Sequence, residues 1–180
     1  MAVDVEPFSL VDPSGWEEFV RFMTANAFPF HMNPSPTREG LDSRREEGDF
    51  DGPDNEVLAA RVQGELIGFV VVEDLESIAP LFDIRLANGA RGKGLGTETV
   101  RELVRYLFRE HPNIVRIEGQ TREDNVAMRR AFLRSGFVKE AHYRKAWPTA
   151  EGPLRDAVAY GLLRSDFETG QTTQLVWDEL

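Results

Sequence analysis

The stretch Arg91-Gly92-Lys93-Gly94-Leu95-Gly96 lies between a strand-like run, Leu81-Phe82-Asp83-Ile84-Arg85-Leu86-Ala87, and an amphipathic helix. The helix is read from Val100, Leu103, Val104, Leu107 and Phe108, at i, i+3, i+4, i+7 and i+8. It is expected to begin near Thr97 and to end before His111-Pro112. First-turn amides have no partner inside a helix and carry the positive end of its dipole, so this junction suits an anionic oxygen. The glycines remove the Cβ atoms that would hold a ligand off and allow positive φ where several amides must point inward. Arg91 and Lys93 add positive charge to the same turn.

Three phosphate-binding patterns compete for it. A nucleotide P-loop needs a lysine and then Ser or Thr after the last glycine, but Gly96 is followed by Thr97 and Glu98. A dinucleotide fingerprint with its pair at Gly92 and Gly94 needs its third glycine where Thr97 stands. What remains is Arg-x-x-Gly-x-Gly ahead of a helix, filled by Arg91, Gly94 and Gly96, and it resembles the acyl-CoA pyrophosphate loop of the GNAT N-acetyltransferase superfamily. A second stretch, residues 123–137, reads as a capped helix with Asp124 or Asn125 at its start and Gly136 as its left-handed stop. It resembles the second motif of that superfamily, an Asn opening a short helix that ends in Gly-Phe. The ending, from Gly136-Phe137 through Asp156-Ala157-Val158-Ala159-Tyr160-Gly161 to Asp166-Phe167, is similar to the ribosomal-protein N-terminal acetyltransferase branch.

The resemblance implies an α/β fold in one domain over residues 1–167, with a mixed, mostly antiparallel sheet of about seven strands, helices on both faces, and a tail over residues 168–180. It implies acetyl-CoA as co-substrate, held by Leu86, Arg91, Gly92, Lys93, Gly94, Leu95, Gly96, Thr97 and Asn125. Asn125 can serve as a plain helix cap and as a cofactor contact together. The acceptor would be a primary amine, either a protein N-terminus or a small molecule such as an antibiotic or polyamine. A CoA-binding sensor without catalysis is the rival from another class.

Composition narrows the rest. The chain has no cysteine, which excludes disulfides, a thiol nucleophile and thiolate metal sites, and its 3 scattered histidines argue against zinc. A formal net charge of −10 opposes a nucleic-acid or anionic-membrane role. No apolar run reaches membrane-spanning length, and Met-Ala-Val-Asp-Val-Glu-Pro lacks the features of a secretion signal, so a cytoplasmic address is expected.

In chain order, residues 3–10 read as a strand and 16–25 as a helix with Trp16, Phe19, Val20 and Met23 on one face. Residues 28–36 hold three prolines and two aromatics and are expected to be irregular. This segment either shapes the acceptor pocket through Phe28, Phe30 and His31 or plugs the core. Residues 37–47 read as a polar helix, and 56–62 and 66–73 as strands joined by Gln63-Gly64-Glu65. Strands follow at 81–87, 114–120, 137–147 and 157–163. The acidic run Glu39, Glu46, Glu47, Asp49 and Asp51 is a solvated face or an attractor of polycations. Residues 168–180 have no clear pattern and are open to contact with a second copy, so the sequence allows a homodimer.

Acetyl transfer to an ammonium needs a base, a group to stabilise the carbonyl oxygen, and a proton or dipole for the leaving thiolate. Glu118 ranks first as base and Asp83 second; each is also an ion-pair partner for Arg116 or Arg85. For the acid, the sequence departs from the family: the usual tyrosine seven places after the motif Asn is Phe132, and the serine three places after it is Met128. Neither donates a proton. Ser135, Tyr143, Tyr160 or a water held by Asn125 could replace them, or the thiolate could leave unaided.

Overall fold

The computed structural model describes residues 2–50 and 52–176. Its strands are β1 (Asp4–Pro7), β2 (Glu56–Val62), β3 (Glu65–Glu73), β4 (Leu81–Leu86), β5 (Arg116–Arg122), β6 (Val138–Trp147) and β7 (Arg155–Leu163). They form one sheet in the order β1-β2-β3-β4-β5-β7-β6. Every neighbouring pair is antiparallel except β4 and β5, which run parallel and share one register pair, Leu81 with Glu118. The helices are α1 (Pro13–Ala25), α2 (Arg38–Glu46), α3 (Leu95–Glu110), α4 (Val126–Arg134) and α5 (Arg164–Thr169).

Strand alternation sorts the helices onto two faces. Phe69 and Val71 of β3 meet Trp16, Phe19, Val20 and Met23 of α1 and Leu41 of α2. Val70 and Val72, between them, meet Val100, Leu103, Val104 and Leu107 of α3. Each such side chain taken from water contributes roughly 1.5–3 kcal/mol, and together they hold the sheet between its two helical layers. The ends are fixed locally. Asp12 accepts from the Ser14 amide at 3.0 Å ahead of α1, and the Thr37 hydroxyl accepts from the Gly40 amide at 3.2 Å in α2. Gln63 and Gly64, at φ 52° and 84°, make the two-residue hairpin turn between β2 and β3.

Several boundaries differ from the sequence expectation. β1 stops at Pro7, although Leu10 beyond it stays buried. α3 begins at Leu95, two residues before Thr97, because Gly94 at φ 83° supplies the N-cap. β5 is displaced from 114–120 to Arg116–Arg122: Ile114 is buried as a plug, while Val115 is 48% exposed and its amide donates to Ile78 O at 2.9 Å in a loop. The apolar Ile-Val pair there belongs to the approach to the strand, not its body. α5 crosses the expected boundary at 167, packing Phe167 at a tilt against Phe108 with centroids 5.2 Å apart.

The backbone of β4 sets up the site. Ala87 N–H donates to Ile67 O at 2.9 Å, and Glu118 N–H donates to Pro80 O at 2.9 Å. Odd-numbered residues of β4 therefore turn their backbone groups toward β3, and even-numbered ones toward β5. Beyond the Leu81–Glu118 pair, β4 and β5 are unpaired, so the backbone of Ile84 and Leu86 faces an opening between the strands.

Candidate active site

Two cavities meet at this opening. The first, of about 380 Å³, is lined by Ile84 and Leu86 of β4, by Arg91, Gly92, Gly94, Gly96 and Thr97 of the glycine turn, and by the start and outer face of α4. Gly92 and Gly94 have φ of 74° and 83°, and a Cβ on either would stand in open space. Among the first-turn amides of α3, that of Thr97 donates to Gly94 O at 3.1 Å, which leaves those of Leu95 and Gly96 without a helical partner. Bare amides, positive dipole and missing Cβ atoms fit a phosphate-bearing ligand. Two residues expected at this site turn elsewhere: the Leu95 side chain is buried with Val3, Ala60 and Ala90, and Lys93 lines the opposite side of the turn with Ala2 and Glu98. Their place as cations and walls is taken by Arg130 and Arg134, four apart on α4, which line the cavity. Among the described residues neither has an ion-pair partner. The sequence carried this signal as an i, i+4 pair on a helix already placed beside the glycine turn.

Arg91 does not point freely into the cavity. Its Nε and Nη2 donate to Leu86 O at 3.0 and 2.8 Å, and Nη2 also donates to Ala27 O. It therefore ties the end of β4 to the residues preceding Phe28. Burial pushes its pKa down, a direction set by the partial removal of the guanidinium from water. Asn125 spends both ends of its amide locally: Oδ1 accepts from the Met128 amide at 3.2 Å and Nδ2 donates to Thr121 Oγ1 at 2.9 Å. It lines both cavities while capping α4.

The second cavity, of about 560 Å³, opens on the α1 side of β4 and is lined by Glu73, Leu81, Asp83, Arg85, Gln120, Trp147 and Arg44, among others. Phe30, His31, Ile84, Asn125 and Met128 line both cavities, so the two communicate there. The irregular segment 28–36 forms one wall and is held by arginines. Arg122 Nη1 donates to Pro29 O at 3.0 Å and its guanidinium lies 5.2 Å from the Phe30 ring centroid. Arg85 and Arg91 lie 5.0 and 5.4 Å from the Phe28 ring centroid. Phe28 is 2% exposed and joins the α1 core while also lining the first cavity, and Phe30 and His31 line both cavities.

Charge in the second cavity is arranged around Asp83. His31 Nε2 lies 2.8 Å from its Oδ1, and Arg85 Nε donates to its Oδ2 at 2.8 Å. Burial pushes the Asp83 carboxyl up, but His31 and Arg85 outweigh burial and hold it well below the usual carboxylate range. Glu73, not anticipated from sequence, sits on the same face at the end of β3. Burial raises its pKa, helped by the nearby Asp83, and among the described residues it has no hydrogen-bond or ion-pair partner. The signal was available in strand parity, since Glu73 shares its face with Val71 and thus with Asp83.

Glu118 does not itself line either cavity, although Leu81 opposite it and Gln120 two residues further on line the second. It stands opposite Leu81, at the start of β4, with Arg116 Nη2 at 2.9 Å from its Oε1. β4 and β5 are joined where Glu118 sits and open beyond it. The acidic run does not line either cavity: Glu39, Glu46 and Glu47 are exposed, Asp49 pairs with Arg44 at 2.6 Å, and Asp51 lies outside the described residues. Phe132 is buried and stacked on Tyr160 with centroids 4.8 Å apart. A Cβ on Gly119 would come within 2.4 Å of the Phe132 ring, so the ring lies directly on β5. Neither Tyr160, Tyr143 nor Ser135 lines either cavity.

The family model for the acetyltransferase (GNAT) domain matches residues 4–138, more than half of the chain. Among solved structures, the spermidine N-acetyltransferase of Vibrio cholerae, in complex with CoA and spermine, aligns with TM-score 0.76 and 18% identity over 92% of this chain and 98% of its own. The aminoglycoside acetyltransferase AAC(6')-Ib, in complex with coenzyme A, aligns with TM-score 0.72 and 21% identity over 93% and 98%. RimJ of Mycobacterium smegmatis, in complex with CoA-disulfide, aligns with TM-score 0.69 and 15% identity over 91% and 83%. A sequence search of curated proteins finds no match. At these identities the solved structures speak for the fold, and the match to the family model carries the assignment: the chain belongs to the GNAT acetyltransferase family.

Proposed function

We propose that this acetyltransferase moves the acetyl group of acetyl-CoA directly to the primary amine of a small cationic acceptor. The observation that carries the reading is the meeting of two unlike cavities at Ile84, His31, Asn125 and Met128. One is walled by amides and arginines suited to the diphosphate of CoA, the other by two carboxylates, Glu73 and Asp83, suited to an ammonium. Bound acetyl-CoA supplies an activated thioester. The chain supplies the rest: Leu86, Gly92, Gly94, Gly96 and Thr97 orient the co-substrate, with the cations Arg91, Arg130 and Arg134 around it, and the backbone of Ile84 and Leu86 offers a strand edge to its pantetheine arm. Phe30, Leu81 and Trp147 exclude water from the acceptor side.

Glu73 supports a small cationic acceptor over a protein N-terminus. An unpaired, half-buried carboxylate set back from the transfer point suits a second positive charge on the acceptor, which polyamines and aminoglycosides carry. Neither family acid is present at Phe132 or Met128, so the thiolate leaves without a side-chain donor from those positions.

The test is thiol release from acetyl-CoA with spermidine, an aminoglycoside and short peptides with free N-termini. Turnover of the polycations above the peptides is expected. Turnover of peptides alone would reassign the acceptor, and acetyl-CoA binding without turnover of any amine would favour the sensor reading.

A further inference from the structure

His31 is an unusual residue for the place it occupies. It stands in a segment rich in proline and aromatics, its amide donates to Phe28 O at 3.0 Å, and its ring packs edge-on against Phe28 with centroids 5.7 Å apart. That ring lines both cavities. Its Nε2 is 2.8 Å from Asp83 Oδ1, and Asp83 is itself fixed by Arg85 Nε at 2.8 Å. An ionised carboxylate only accepts, so the proton of the neutral ring resides on Nε2, and Nδ1 carries a lone pair. Nδ1 is buried and, among the described residues, has no hydrogen-bond partner. A buried polar atom without a protein partner calls for a ligand, a water or a chemical role to complete it. Of the six such side-chain atoms among the described residues, His31 Nδ1 and Trp147 Nε1 belong to residues lining the cavities.

We infer that His31 is the general base of the transfer and that Asp83 is the residue that orients it. This rests on the acetyl-CoA reading above and deepens it. Neither carboxylate considered from sequence is as well placed: Glu118 is paired with Arg116 and lines neither cavity, and Asp83 already accepts from two donors. In the step, the acceptor ammonium gives a proton to His31 Nδ1, and the resulting imidazolium is stabilised by Asp83 through Nε2–H. The amine nitrogen then forms its bond to the thioester carbon as the carbon–sulfur bond breaks, and the electron pair leaves on sulfur. A second N–H proton is lost as the amide forms and ends on the thiolate, while the first passes from His31 to solvent. Nitrogen so goes from three hydrogens to one, and CoA leaves as the thiol. The charged groups around His31 and the cavities it lines are Asp83 and Arg85 of β4, Glu73 of β3, Arg44 of α2, Arg91 of the glycine turn, Arg122 of β5, and Arg130 and Arg134 of α4.

The chain has 3 histidines, so ¹⁵N-histidine spectra assigned with His31→Gln report its tautomer directly. The expected form is Nε2–H with an unprotonated Nδ1 at neutral pH, lost in Asp83→Asn. In steady-state kinetics with spermidine, His31→Gln keeps a donor toward Asp83 but lacks a base, and is expected to lower kcat about 100-fold with acetyl-CoA affinity within about twofold. It should also abolish the acidic limb of the kcat/KM profile, which Asp83→Asn should shift while lowering kcat about tenfold or more. A role confined to holding the loop would raise KM and leave kcat and the acidic limb in place, which overturns the inference. So does a proton on Nδ1 in a chain that binds acetyl-CoA, while leaving the acetyl-CoA reading intact. A chain that does not bind acetyl-CoA removes that reading itself.

Discussion

The two cavities that meet at His31 are built from different materials. On the cofactor side the anion-binding groups are mostly backbone: positive-φ glycines, the first-turn amides of α3 and the unpaired edge of β4, all within residues 84–97, with arginine side chains of α4 beside them. The acceptor side is made of side chains drawn from β3, β4, β5, β6 and the segment between α1 and α2, residues as far apart as His31 and Trp147. A backbone site needs a short contiguous motif, so it survives changes in the surrounding side chains. A side-chain site can be rebuilt one residue at a time. One fold can thus keep its co-substrate while its acceptor changes, as the spermidine and aminoglycoside acetyltransferases of similar fold, each solved with CoA, illustrate.

The sharpest way to break this contrast is Gly94→Asp. The position has φ 83° and open space where a Cβ would stand. Asp tolerates the left-handed region better than most residues, so the fold should persist, with Tm within about 3 °C of wild type. A carboxylate placed among amides that face a diphosphate should weaken acetyl-CoA binding on the order of 100-fold. Calorimetric titration beside a thermal melt separates the two effects, and unchanged affinity would show that the glycine turn does not hold the co-substrate.

The same contrast explains what the sequence could reveal. The glycine turn, the hairpin at Gln63-Gly64 and the capped helix after Asn125 are local patterns, and each was legible from a few neighbouring residues. Glu118 shares its strand face with Gln120 and stands opposite Leu81, both of which line the acceptor cavity, but its own carboxylate is held by Arg116. Strand parity gives the face, and only the parallel pairing of β4 with β5 gives the position along it. Glu73 was hidden for the converse reason. It closes an apolar strand and reads as a solvent-facing terminus until the register puts it beside Asp83. The arginine clamps on residues 27–33 span up to 93 positions, as from Arg122 to Pro29, and no local pattern announces them.

Arg91 is where the contrast should fail, because it belongs to both sides. Its guanidinium joins Leu86 O, at the edge offered to the co-substrate, to Ala27 O, at the root of the acceptor loop. Hydrogen bonds from a charged donor contribute about 1.5–3 kcal/mol each. Arg91→Ala should therefore raise both the acetyl-CoA Kd and the acceptor KM, each about tenfold. Lysine cannot reproduce the fork, so Arg91→Lys should resemble alanine more than wild type. A change in only one constant would show that the two sites are energetically independent.

Glu73→Gln is the mildest intervention and tests the acceptor side alone. Burial, with Asp83 close by, raises the Glu73 pKa above its ordinary value. A carboxylate whose pKa is higher in the folded state binds its proton more tightly there, so the native state loses stability as pH rises from the unfolded toward the folded pKa. Above the folded pKa that loss is complete, and the ionised Glu73 is then a net cost to folding. Removing the charge with an isosteric amide should raise Tm by roughly 2 °C at pH 7, and the gain should vanish at pH values below the unfolded pKa. The same change should raise KM for spermidine about fivefold with acetyl-CoA affinity unaltered, since an amide cannot balance an ammonium. A carboxylate kept at a cost to stability is the expected mark of a binding residue. If the variant gained stability without losing affinity for the polyamine, the attraction assigned to Glu73 would have to come from Asp83, whose charge His31 and Arg85 already share.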